Sequence, residues 1–163
     1  MIRVGLGFDV HAFGGDGPLV LGGVTIEGTG LVGHSDADVI AHAVADSILG
    51  PVGLGDIGTV FPDSDDAHRG ASSIGLLAKV AAMVAFEGWS VANVDVVVAA
   101  EAPRLAPHIE EMVTNLATAL YAARDGKGSS VMVSVKPKKG EGLGFVGRTE
   151  GIAAWAVALL EHP

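Results

Sequence analysis

The stretch Ile2-Arg3-Val4-Gly5-Leu6-Gly7-Phe8-Asp9-Val10-His11-Ala12-Phe13 decides the fold. Ile2, Val4, Leu6, Phe8 and Val10 point one way, and Arg3, Gly5, Gly7, Asp9 and His11 the other. A period of two predicts a β-strand with one buried face. Asp9 and His11, two apart, then leave the strand together on the face opposite the apolar stripe.

Outward from this strand, Pro18–Ile26 predicts a second short strand, bent at Gly22-Gly23. Ser35 or Asp36 is expected to cap a helix running to about Leu49, which Gly50-Pro51 ends. Residues 51–71 are rich in Gly, Asp and Pro and predict a long loop with at most one short turn. Loops of that length are usually functional or mobile. A helix follows over Ser72–Glu87, then a strand over Val91–Ala100. Pro107 can start a helix reaching about Arg124, with Gly126 beyond its end. Val131–Lys136 alternates as a strand, Gly140–Gly151 is a glycine-rich connection, and the small and β-branched residues of Ile152–Leu160 favour a closing strand. The expected fold class is α/β, an α+β sandwich of one roughly four-stranded mixed sheet with helices on one face. The other sheet face is left for a partner subunit, because an apolar sheet face must be covered.

Nothing in the 163 residues marks an internal boundary, and the length suits one domain over residues 1–163. Aromatics make up only 5% of the chain, so Ala, Val and Gly carry the close packing. The longest uncharged run, Met112–Ala123, falls well short of the roughly 20 residues of a membrane helix. With no signal-peptide layout either, the expected location is the cytoplasm. No cysteine is present, so any metal must be held by His and carboxylate. A net charge of −9 argues against nucleic acid as a partner. Five of the ten basic residues nevertheless lie between Lys127 and Arg148, where Glu141 is the only acid. That segment fits a local anion site and equally a solvated loop.

Asp9, His11 and His42, the last on the first predicted helix, make a carboxylate–imidazole set that suits Zn²⁺. Three protein ligands leave one tetrahedral position open, the mark of a catalytic site. Asp46, one turn beyond His42, is placed to orient its imidazole. The same spacings also fit a helical His that is merely hydrogen-bonded. His68, His108 and His162 have no such setting and read as loop or surface residues. His34-Ser35-Asp36-Ala37-Asp38 opens the same helix, where free backbone N–H groups attract phosphate, with His34 and Ser35 adding donors. A cap at Ser35 or Asp36, and a first-turn carboxylate at Asp38, account for the segment just as well.

Several motifs carry a resemblance: Gly7-Phe8-Asp9-Val10-His11-Ala12-Phe13, Gly33-His34-Ser35-Asp36-Ala37-Asp38 with His42 beyond, and Leu54-Gly55-Asp56-Ile57-Gly58. Phe61-Pro62-Asp63-Ser64-Asp65, Ala102-Pro103-Arg104 with Pro107-His108-Ile109, and Gly142-Leu143-Gly144-Phe145-Val146-Gly147-Arg148 continue it in register. Over nearly its whole length the chain resembles the 2-C-methyl-D-erythritol 2,4-cyclodiphosphate synthase family of the non-mevalonate isoprenoid pathway. The resemblance implies a lyase reaction. In 4-diphosphocytidyl-2-C-methyl-D-erythritol 2-phosphate, the 2-phosphate attacks the β-phosphorus and CMP leaves. Two anionic phosphates must meet, so positioning and charge neutralisation carry such a reaction.

The resemblance also implies roles. Zn²⁺ on Asp9, His11 and His42, beside Val10, would hold the β-phosphate, and Mg²⁺ or Mn²⁺ would bridge the α- and β-phosphates with help from Glu141. His34 and Ser35 would hold phosphate in the transition state. Asp56, the Ile57 and Gly58 backbone, and Asp63 would bind the methylerythritol hydroxyls, under a loop of Phe61, Pro62, Asp63, Ser64 and Asp65. Ala100, Glu101, Ala102, Pro103, Arg104, Leu105 and Ala106 would form the cytidine pocket. Family members are homotrimers with sites between subunits, which would put Phe8, Phe145 and Arg148 near the axis, where an isoprenoid diphosphate fits. Where the family has two threonines, this chain has Lys138 and Lys139, followed by Gly140. Lys139 therefore stands where a Thr hydroxyl serves the transition state, as a longer and stronger cation. Two other readings use the same residues: a zinc phosphohydrolase, and a non-enzymatic trimer that binds isoprenoid diphosphate.

Overall fold

The computed structural model describes residues 1–62, 64, 70–121 and 130–162. Five strands form one mixed sheet in the order β2-β1-β5-β3-β4: β1 Ile2–Leu21, β2 Val24–Leu31, β3 Ser90–Ala99, β4 Met132–Lys138 and β5 Gly151–Glu161. All neighbours are antiparallel except β3 and β4, which α4 connects in parallel. The helices are α1 Val39–Leu49, α2 Ile57–Val60, α3 Ser73–Phe86, α4 Ile109–Tyr121 and the single turn α5 Gly144–Gly147.

The first strand runs past Phe13, where the alternation ends, and the expected strand Pro18–Ile26 is in fact the tip of a hairpin. The first half of β1 pairs with β5, from Ile2 opposite Glu161 to Ala12 opposite Gly151. The second half pairs with β2, after register shifts between Phe13 and Leu19. Bulges of this kind bend a strand, so one strand can serve two partners. The fifth strand of the sheet arises in this way.

The strand's two faces are used in the opposite sense to the simplest reading of the alternation. Gly5 and Gly7 lie under α1, where an added Cβ would stand 1.9 Å from the carbonyl oxygens of Ser47 and Ala43 respectively. At Gly5 and Gly7 the glycine face is therefore the buried one. In the single chain the apolar stripe is open to solvent, from 43% exposure at Val10 to 70% at Leu6. Trp155 on β5 extends it, its ring 5.2 Å from that of its register partner Phe8.

The first helix starts later than expected. Ala37 takes a left-handed backbone (φ 55°), and Asp38, rather than Ser35 or Asp36, is the N-cap, accepting hydrogen bonds from Ile40 N and Ala41 N, both 3.1 Å away. The same fully buried carboxylate accepts from Gly22 N at 2.9 Å and Gly23 N at 2.7 Å. Those two glycines make the hairpin turn with positive φ of 57° and 73°, a conformation that Gly adopts without strain. Burial pushes the Asp38 carboxyl up, and the N–H groups of Gly23, Gly22 and Ala41 pull against it. One side chain thus clasps the β1–β2 turn to the start of α1.

The remaining elements fall within a few residues of expectation. Among its described residues the 51–71 stretch holds two short turns, the end of a 3-10 turn at Gly50–Val52 and α2, one more than expected. A 3-10 turn at Ala106–His108 precedes α4, and its expected end at Arg124 and Gly126 lies outside the described residues. His162 departs from its reading as a surface residue: it is half-buried, its ring edge-on to Trp89 at 5.1 Å.

Replacing Asp38 with Ala leaves four buried N–H groups without their acceptor. Because each such group costs about 1–3 kcal/mol, a loss of at least about 3 kcal/mol is expected in urea unfolding. A loss below about 1 kcal/mol, no more than an ordinary cap, would show that the clasp is dispensable.

Candidate metal and substrate site

The glycine face of β1 and the underside of α1 meet where Asp9, His11 and His42 point inward. His11 Nε2 and His42 Nδ1 each lie 3.0 Å from Asp9 Oδ2, and 3.3 Å from one another. Ligands about 2.0–2.1 Å from a tetrahedral zinc stand roughly 3.3 Å apart, so this triangle closely matches one face of that polyhedron. The donor set, one carboxylate and two imidazoles, is chemically suited to such an ion. The three residues form a cluster able to bind a metal. Burial alone would raise the Asp9 carboxyl. The hydrogen bonds and charges of His11 and His42 outweigh it and hold Asp9 well below the usual carboxylate range.

The chain arranges both imidazoles from behind. His11 Nδ1 lies 2.6 Å from the Val32 carbonyl oxygen. His42 Nε2 lies 2.9 Å from Ser73 Oγ and 3.2 Å from Ser35 Oγ. Ser73, at the start of α3, was not expected in the site. It is one of several Ser residues in the sequence, and only the packing of α3 against α1 brings it to His42. Asp46, expected to orient His42, instead accepts from Ile57 N at 2.8 Å and ties α1 to α2. Burial raises its carboxyl, helped by the neighbouring charges of Asp56 and Asp9.

The triad opens into a cavity of about 210 Å³, which His34, Ser35, Ile57, Gly58 and Phe61 also line. Five expected substrate residues thus gather beside the expected ligands. Gly33 and Leu76 join them without having been anticipated. The expected anion-binding amides at the start of α1 are not available, because the Asp38 carboxylate takes the N–H groups of Ile40 and Ala41. That leaves the side chains of His34 and Ser35 as donors. Asp56 caps α2 by accepting from Thr59 N at 2.7 Å, and this bond lowers its carboxyl. Pro62 and Ser64 are exposed; Asp63, Asp65 and His68 lie outside the described residues.

The other expected residues do not line this cavity. The Val10 side chain is on the open sheet face. The segment Ala100–Ala106, with a cis bond at Ala102-Pro103, leaves the C-terminal end of β3. Lys138, Lys139, Gly140 and Glu141 leave the end of β4 beside it, joined by Ala100 N donating to Lys138 O at 2.9 Å. Glu141 holds a left-handed backbone, φ 53°. Phe145 is 37% exposed on α5. Arg148 forms a bidentate pair with Glu150, at 2.8 and 3.1 Å, which raises the Arg148 guanidinium and lowers Glu150.

The YgbB family model matches residues 2–161. The bifunctional enzyme IspD/IspF of Anaeromyxobacter dehalogenans is 53% identical over 159 residues, covering 98% of this chain and 40% of that protein. The chain therefore spans about 40% of the length of such bifunctional relatives. The 2-C-methyl-D-erythritol 2,4-cyclodiphosphate synthase of Bordetella avium is 54% identical over 159 residues, with 97% of this chain and 94% of the relative covered. Among solved structures, the IspF CDP complex of Plasmodium falciparum superimposes with a TM-score of 0.80 at 32% identity, covering 99% of this chain and 96% of that one. With the match running through every strand and helix described above, the chain belongs to the YgbB family.

Proposed function

We propose that this chain is a metal-dependent cyclodiphosphate synthase, a phosphorus–oxygen lyase of isoprenoid precursor biosynthesis. It acts on 4-diphosphocytidyl-2-C-methyl-D-erythritol 2-phosphate as one domain over residues 1–163, in the cytoplasm. The observation that carries this reading is the convergence of Asp9, His11 and His42 on one point of a cavity walled by His34 and Ser35. Family membership and the names of the relatives supply the reaction. In keeping with a cytoplasmic protein, no helix among the described residues is long and apolar enough to cross a membrane.

In this reaction the 2-phosphate oxygen bonds to the β-phosphorus, the bond from that phosphorus to the bridging oxygen breaks, and CMP leaves with that oxygen. Asp9, His11 and His42 hold Zn²⁺, which supplies Lewis acidity and a template for the diphosphate. His34 and Ser35 donate to phosphate oxygens as charge builds on them. The Ile57 and Gly58 backbone with Asp56 and Asp63 orient the methylerythritol, and Phe61–Asp65 covers it. Glu141 assists a second ion, Mg²⁺ or Mn²⁺. Lys139, in the catalytic place of a threonine hydroxyl, meets the anionic transition state with an ammonium.

The segments at the ends of β3 and β4 complete this site from a neighbouring copy. The apolar face that carries Leu6, Phe8, Trp155 and Val157 is exposed in the single chain, and a homotrimer covers it. In that assembly Ala100–Ala106 takes the cytidine, in line with the CDP of the Plasmodium falciparum complex. Phe145 and Arg148 lie near the axis.

Four outcomes are expected. Purified protein given the cytidyl substrate with Zn²⁺ and Mg²⁺ releases CMP, and phosphorus NMR shows a cyclic diphosphate. His42→Ala lowers the rate at least about 100-fold, the scale of losing a principal electrostatic group. A linear phosphate product would instead identify a hydrolase, and no CMP would end the proposal. Lys139→Ala reduces kcat about 10–100-fold, whereas Lys139→Thr retains more of it; equal rates in all three proteins would remove Lys139 from the chemistry. Light scattering gives three times the chain mass for the wild type and a single-chain mass for Leu6→Glu, because a charge cannot be buried unpaired in that interface. A wild-type monomer would rule out the shared site.

A further inference from the structure

An imidazole binds a cation only through a nitrogen that carries no proton, so each ligating histidine must be held in one tautomer. For His11 the backbone does this. The Val32 carbonyl beside Nδ1 can only accept, so Nδ1 carries a proton, and Nε2 is the nitrogen that can bind a cation in place of a proton. His42 presents the other nitrogen, Nδ1, to the cluster. Its Nε2 faces only hydroxyls, Ser73 Oγ at 2.9 Å and Ser35 Oγ at 3.2 Å. A hydroxyl donates or accepts, so these contacts by themselves permit either tautomer.

Asp36 removes that freedom at Ser73, the nearer of the two hydroxyls. Ser73 Oγ makes a short hydrogen bond to Asp36 Oδ1, and a carboxylate has no proton to give. The one hydroxyl proton of Ser73 therefore points at Asp36, and its lone pairs are left for His42 Nε2–H. Asp36 is itself held in place, accepting from Ser73 N at 3.1 Å and from Asp38 N at 3.3 Å. Ser73 is fully buried, so water does not compete for these bonds.

We propose that Asp36 and Ser73 form a positioning relay that holds His42 as the Nε2–H tautomer, and so sets the affinity of the Asp9–His11–His42 site for Zn²⁺. Neither residue touches the ion or the substrate. The relay rests on the metal reading above and deepens it. It also gives the acidic residue between Ser35 and Ala37 a task other than binding a cation.

The test uses the full-length chain freed of metal and titrated with Zn²⁺ against a competing chelator. Long-range proton–nitrogen NMR of the same samples reports which nitrogen of His42 is protonated. Ser73→Ala and Asp36→Ala are expected to weaken Zn²⁺ binding about 10–100-fold, with loss of the single Nε2–H signature. Ser72 caps the same helix through Gly75 N, at 3.3 Å, without reaching His42. Ser72→Ala should therefore lower the melting temperature and leave Zn²⁺ affinity and tautomer unchanged. Wild-type affinity in Ser73→Ala with a persistent Nε2–H signal would overturn the relay. So would equal affinity losses in Ser72→Ala and Ser73→Ala, since binding would then follow helix stability. If Ser73→Ala does not fold, Asp36→Ala, which removes the acceptor of the Ser73 proton, decides. A wild-type chain that takes up no Zn²⁺ would refute the metal reading instead, and the His42 spectra would then judge the relay alone.

Discussion

A helix can lie directly on the backbone of a strand only where the strand offers no side chains. Gly5 and Gly7 provide that surface, and the carbonyls of Ser47 and Ala43 on α1 fill it. Close packing leaves no slack in such a contact, so the height of α1 above β1 is determined by backbone against backbone. Asp9 and His11 are next on the same strand face, and His42 sits one residue before Ala43. The triangle of ligand atoms follows from this approach. Any side chain at Gly7 would lift the helix and carry the His42 imidazole away from Asp9.

Around that contact, the acidic residues divide the work. Asp38 spends its carboxylate on four backbone N–H groups, Asp46 on Ile57 N, and Asp36 on Ser73. Each joins two segments distant in sequence, and each satisfies backbone groups that burial would otherwise leave costly. In the cluster itself Asp9 is the only carboxylate, so a cation there meets one negative charge and two neutral donors. These three aspartates thus act as fasteners of turns and helix starts.

The sheet explains why the expected substrate residues separate into two groups. The triad, with His34, Ser35 and α2, lies on the helix side near β1. Ala100–Ala106 and Lys138–Glu141 emerge from the C-terminal ends of the parallel pair β3 and β4, two strands away in the order β2-β1-β5-β3-β4. Ends of parallel strands are natural places for ligand loops, and an open apolar face rarely stays uncovered. A shared site between copies is consistent with both facts.

Local pattern was enough for most strand and helix positions, though not for the β1–β2 hairpin or the start of α1, because periodicity and turn residues act within a few residues of one another. Asp9 and His11 were legible as a pair for the same reason, since two positions on one strand share a face. The motif order then grouped His42, His34, Ser35, Ile57, Gly58 and Phe61, and all six line one cavity. What could not be read locally was which face of β1 is buried. Alternation states that the two faces differ, while the burial of the glycine face depends on a helix arriving from residues 39–49. The cap at Asp38, the diversion of Asp46 to Ile57 and the arrival of Ser73 behind His42 are likewise contacts between segments far apart in the chain. Sequence alone determined the elements and the chemistry they carry, through short-range sterics and hydrophobic period. Tertiary structure decided which polar groups meet, because a hydrogen bond depends on tenths of an ångström that only packing sets.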